Sequence, residues 1–71
     1  MTWLPVDAFS LANLHVAEGT RRCDLQRALI SHLRVSGRDT AVAEALLVSF
    51  EETLGFMREH QRRLSSMGEQ P

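Results

Sequence analysis

The stretch Gly37-Arg38-Asp39-Thr40 decides the fold of this chain, because a helical apolar pattern of similar length runs before it and after it. Gly37 follows Leu33 and Val35, the last apolar residues of the first pattern. It supplies the left-handed conformation that closes a helix, with no Cβ penalty. Asp39 and Thr40 both suit the N-cap of the next helix, where a side-chain oxygen accepts from a free backbone N–H. Glu44 then sits near the positive end of that helix dipole. With a stop and a start signal this close together, the flanking helices are antiparallel neighbours. One continuous helix through Gly37 would put a glycine and two capping residues in an interior, where each costs stability.

Back from the turn, helix 1 is expected from about residue 8 to about residue 36. Pro5 suits a helix start, and Asp7 and Ser10 are alternative N-caps. At i, i+3 and i+4 spacing the stripe of this helix reads Leu11, His15, Glu18, Arg22, Leu25, Leu29, Leu33, with Leu14, Cys23 and Ile30 beside it. Gly19 is either a fraying site or a small residue that lets another helix come close. Ahead of the helix, Trp3, Leu4, Val6 and Phe9 form an apolar cluster. It is expected to pack on the far end of helix 2, or else to stand exposed as a docking patch.

Onward from the turn, helix 2 is expected from about residue 40 to about residue 66, with residues 67–71 as a short tail after it. One heptad column carries Ala43, Phe50, Met57 and Leu64, and a second carries Leu46, Thr53, His60 and Met67, with Leu47 and Leu54 flanking them. Val48 and Phe56 fall away from this stripe. Glu59–Arg63 and Glu18–Arg22 have the spacing and order of favourable i,i+4 pairs.

The expectation is therefore an all-α protein, one helical-hairpin domain over residues 1–71. Two helices shield each other on one side only and have a poor surface-to-volume ratio. Spare apolar surface at Leu14, Ile30, Val48, Phe56 and the Trp3 cluster points to a homodimer forming a four-helix bundle. The rival is a monomer whose lead-in folds across the open face.

Composition narrows the class. The formal charge is −1, the eight basic residues are all Arg, and no basic patch exceeds Arg21-Arg22 or Arg62-Arg63, so nucleic acid is not the expected partner. No apolar run reaches the roughly 20 residues of a membrane span. The N-terminus has no Lys or Arg before Arg21 and carries Asp7 within its apolar part, which makes a poor signal peptide. The single cysteine, Cys23, suits a reducing compartment. A soluble cytoplasmic protein is expected.

For chemistry, pairing about a turn near Arg38 sets Leu29 against Leu47 and brings His15 near His60. His15, Glu18 and His60 are then the candidate metal ligands, since i and i+3 share a helix face. The competing reading is a polar layer of His15, Glu18 and Arg22 that fixes register, or a wet bundle end. Either of these is favoured over a metal site, because two histidines and one carboxylate make a thin ligand set. His32 is read as a surface partner of Glu44 or of the helix dipole, and Cys23 as a small packed residue. No catalytic triad and no phosphate-binding Gly loop is placed, so no catalytic residue and no cofactor is assigned.

The pattern His15-Val16-Ala17-Glu18-Gly19, then Arg22, Gln26, Leu33 and Gly37-Arg38-Asp39-Thr40, continuing through Ala43, Leu46-Leu47, Phe50-Glu51, Thr53-Leu54, His60 and Leu64, resembles a group of small proteins of rhizobia and related alphaproteobacteria. It spans about residues 15–64 and is degenerate. Cys23 stands where that group often has Ile, and Arg38 where it often has His. The resemblance implies a helical hairpin in a bacterial cytoplasm and supplies no substrate.

The expected function is non-enzymatic: a self-associating hairpin that can also take a protein partner through Trp3, Leu4, Phe9, Val48 and Phe56. A regulator that masks another protein's helix differs from this only in its partner. The alternative of another class is a small metal-binding bundle using His15, Glu18 and His60.

Overall fold

In a computed structural model that describes residues 7–68, the chain forms two α-helices, α1 (Ala8–Val35) and α2 (Ala41–Gly68), packed on each other as a hairpin. No strand occurs among the described residues. The turn closes as its residues require. Gly37 has φ +72°, its N–H donates to the Arg34 carbonyl at 3.0 Å, and the Arg38 N–H donates to the Leu33 carbonyl at 2.8 Å. These two bonds are the Schellman closure, which satisfies carbonyls that the helix end would leave unpaired. At the start of α2 the work divides between the two candidate caps. Asp39 Oδ1 accepts from the Ala41 N–H at 2.9 Å, while the Thr40 carbonyl accepts the first helical bond, from Glu44, at 2.8 Å.

Of the two candidate caps for α1, Asp7 serves. It is extended, and its Oδ1 accepts from the Ser10 N–H at 2.7 Å. The backbone N–H and hydroxyl of Ser10 hold the Asp7 carboxyl below its ordinary pKa. α2 continues through Gly68, slightly past the expected end. Trp3, Leu4 and the rest of the apolar lead-in lie outside the described residues, as do residues 69–71.

The seam between the helices corrects the expected face of α1. The residues turned inward are Ala12, Val16, Gly19, Cys23, Gln26, Ile30 and Leu33, and those of α2 are Ala43, Leu47, Phe50, Leu54, Met57, Gln61 and Leu64. Each helix thus presents alternating steps of four and three, the spacing of a two-helix seam. On α1 every inward residue but Leu33 follows a member of the expected stripe by one position, a rotation of about 100°. Leu11, Leu25 and Leu29, expected in the core, are exposed. On α2 the column Ala43, Phe50, Met57, Leu64 holds, while Leu47 and Leu54 displace Leu46, Thr53 and His60 from the seam.

The reason is size and charge. The expected stripe of α1 carries three polar side chains; the seam carries no charged residue and several small ones. Gly19 shows the fit: a Cβ placed there would stand 3.0 Å from Leu54 Cδ1 and 3.3 Å from Met57 Sδ. Small residues on α1 receive the large ones of α2 and let the axes approach. Cys23, 1% exposed, packs in this seam as the small residue it was expected to be. The seam's buried polar group, Gln26, donates through Nε2 to the Ala43 carbonyl at 2.8 Å, and no buried side-chain N or O is left unpaired among the described residues.

Candidate interaction face

A two-helix hairpin has two broad faces, and this sequence makes them unlike. Residues that follow the seam around each helix make a polar face. There Arg27 spans to Glu51 at 3.0 Å and to Asp24 at 3.2 Å, Arg34 pairs with Glu44, and Gln61 Nε2 donates to Asn13 Oδ1 at 2.6 Å. These are exposed pairs, worth about 0–1 kcal/mol each. Their contribution is to fix which residues stand opposite one another. Glu44 bonds Arg34 and not His32, which lies with Arg34 in the last turn of α1, where positive charge offsets the dipole.

The opposite face carries the leucines that the seam leaves out. Leu11, Leu14, Leu25 and Leu29 of α1 are between 42% and 59% exposed, and Leu46 of α2 is 44% exposed. Phe50, Met57 and Leu64, half-buried, border them. The contact that shows both helices contributing to one surface is Arg22, whose guanidinium lies 5.7 Å from the Phe50 ring centroid. A shallow groove runs beside it, lined by Gly19, Arg22, Ser49, Phe50, Thr53, Leu54 and Met57. An arginine over an aromatic ring is attracted by the ring's negative face and covers apolar area with its stem.

His15, Glu18 and Arg22 all lie exposed along this face, so within one chain they are not the layer between helices that their arc suggested. Arg22 turns to Phe50 and makes no ion pair with Glu18. Glu59 pairs with Arg63 at 3.6 Å as expected, and with Arg62 as well. His60 is also exposed, and among the described residues no group of three or more His, Cys, Asp or Glu side chains could hold a metal ion.

Of the residues expected to dock a partner, the three that are described do not form one patch. Phe9 is exposed near Gln61, Arg62 and Ser65 at one end of the hairpin. Val48, one position after Leu47, lies with the polar face, while Phe56, one position before Met57 and 76% exposed, stands at the outer edge of the leucine side. The exposed leucines gather instead on the face that bears Arg22 and Phe50, where Leu14 is the spare apolar surface expected of it and Leu11, Leu25 and Leu29 are residues expected in the core. One signal would have separated the two stripes: the true seam of α1 keeps its four-three spacing from Ala12 to Leu33 without a charge.

No helix among the described residues is long and apolar enough to cross a membrane. No family model matches the chain, and neither a curated protein nor a solved structure does. What the geometry defines is an all-α hairpin with one polar broad face and one of exposed leucines interrupted by His15, Glu18 and Arg22.

Proposed function

We propose that this chain is a non-enzymatic, self-associating protein-interaction module whose leucine face pairs with a second copy to complete a four-helix bundle. The observation that carries the proposal is the contrast between the seam and that face. Among the described residues the buried apolar side chains are Ala12, Cys23, Ile30 and Leu54, only two of them large, while four leucines of α1 stand exposed. Fully burying a leucine is worth about 1.5–3 kcal/mol, so covering these partly exposed leucines adds a large part of that for each.

The resemblance to small alphaproteobacterial hairpins and a cytoplasmic setting belong to the same proposal; the buried lone thiol of Cys23 suits a reducing compartment. Phe9 and Val48 remain outside the dimer face, and with Phe56 at its outer edge they are where a different protein would dock. Sedimentation equilibrium of the full chain at micromolar concentration tests the proposal. A mass twice the 8.0 kDa of the chain is expected, and a well-folded monomer at that concentration overturns it.

A further inference from the structure

Two hairpins can stack their leucine faces about a two-fold axis in two ways. An axis along the helices lays α1 of one copy on α2 of the other. An axis across the helices lays α1 on α1 and α2 on α2, antiparallel in both cases. Charge on the face separates these arrangements.

With α1 on α2, the cross-copy register repeats that of the hairpin itself, in which Gly19 stands level with Leu54 and Met57. Glu18 and Arg22 would then be covered by Met57 and Thr53, with His60 within one turn of Glu18 and no acidic group of the second copy's face beside Arg22. An arginine covered without an acidic partner carries a desolvation penalty that nothing repays.

With α1 on α1, the stripe matches its own reversal. Leu11 and Leu29, His15 and Leu25, and Glu18 and Arg22 are each placed symmetrically about Thr20. An antiparallel pair about that centre sets leucine on leucine at both ends and acid on base in the middle. These are the pairings of a and d positions that an antiparallel two-helix seam makes. On α2, Leu46 and Leu64, Phe50 and His60, and Thr53 and Met57 are symmetric about Gly55. Thr20 and Gly55 lie at one height in the hairpin, because Gly19 meets Leu54 and Met57. A single axis therefore serves both helices.

We infer that the partner of this face is a second copy lying with its α1 antiparallel on α1, the two-fold axis crossing at Thr20, so that Glu18 of each copy meets Arg22 of the other. This rests on the dimer proposed above and adds its geometry. The face is about 40 Å long and about 20 Å wide, on the order of 800 Å² per copy, which is the size of a standard specific interface. Arg22, held over Phe50, already sits at the centre of the face and needs no refolding to reach the second copy's Glu18.

The test uses the full chain in a Cys23→Ala background. Chains carrying Leu11→Cys are mixed with chains carrying Leu29→Cys, and separately with chains carrying Leu64→Cys, and treated with a short thiol-to-thiol crosslinker. The 11–29 mixture is expected to give most of the heterodimer crosslink. Dominant 11–64 crosslinking, or none in either mixture while sedimentation still gives a dimer, overturns the geometry and leaves the dimer standing. A folded monomer overturns both. Charge reversal supplies an independent arm. Glu18→Arg alone and Arg22→Glu alone each set like charges across the axis and should weaken self-association roughly tenfold or more, while an equimolar mixture should recover it as a heterodimer. A mixture that associates no better than its components overturns the inference, and circular dichroism of each variant verifies that these exposed substitutions leave the hairpin folded.

Discussion

The side-chain amide of Gln26 donates to the Ala43 carbonyl at 2.8 Å, joining the middle of α1 to the first turns of α2 across the seam. That carbonyl also belongs to the α2 ladder, so losing the amide does not leave it bare. Gln26→Leu is therefore expected to change stability by no more than about 1 kcal/mol in urea unfolding. Gln26→Glu puts an acceptor against an acceptor in a buried site, and should cost about 3 kcal/mol or more near neutral pH. Equal effects of the two substitutions would show that the bond has no structural role.

Gly19 faces Leu54 and Met57 with room for no more than a methyl group, and that methyl would need both neighbours to shift by a few tenths of an ångström. Alanine gains about 1 kcal/mol of helix propensity, which offsets the repacking. Gly19→Ala should be nearly neutral. Gly19→Val should lose about 2 kcal/mol or more, because its extra methyls meet the Leu54 side chain. A neutral Gly19→Val in urea unfolding would mean the helices lie further apart at Gly19 than the 3.0 Å approach of Leu54 Cδ1 implies.

At Gly37 the reason for glycine is the backbone alone, since φ is +72° and nothing lies within 4 Å of an added Cβ. Gly37→Ala should cost about 1–2 kcal/mol by thermal or urea unfolding, and Gly37→Asn less, because Asn tolerates the left-handed region. Alanine performing as well as glycine would show that the turn is not closed this way.

Asp7 caps α1 in its ionised form, and its folded pKa is lowered by the Ser10 bonds. A lowered folded value means that the stabilisation is present above the unfolded pKa of about 3.9 and is lost as pH falls through the folded value. The advantage of the unmodified chain over Asp7→Ala should therefore be constant from pH 7 to about pH 5 and shrink below about pH 4. Urea midpoints of the pair across that range measure it, and an advantage unchanged at pH 2 would rule out the charge.

Ile30 is 4% exposed in the seam and Leu25 is 59% exposed on the open face. Ile30→Ala should cost about 2–4 kcal/mol at any protein concentration. Leu25→Ala should cost less than about 0.5 kcal/mol when the chain is dilute and monomeric. At concentrations where copies pair, its cost should rise. Unfolding at two protein concentrations separates the effects, and a Leu25→Ala cost independent of concentration would place that leucine outside any interface.

The hairpin was legible in the sequence because its determinants are local. Gly37, Asp39 and Thr40 act within a few residues of themselves, and the column Ala43, Phe50, Met57, Leu64 repeats along one helix with no help from the other. Pairing about the turn was legible for the same reason, since a short connection fixes which residues stand level. The rotation of α1 about its axis is not local. Two adjacent stripes compete for the seam, one of leucines interrupted by His15, Glu18 and Arg22, the other of small residues without charge. Hydrophobic size alone favours the first. Freedom from charge favours the second, and the packed pair of helices settles it, because Leu54 and Met57 need the space at Gly19 and the hairpin can bury just one stripe. That decision moves the leucines from core to surface and turns the polar trio from a buried layer into the centre of an open face.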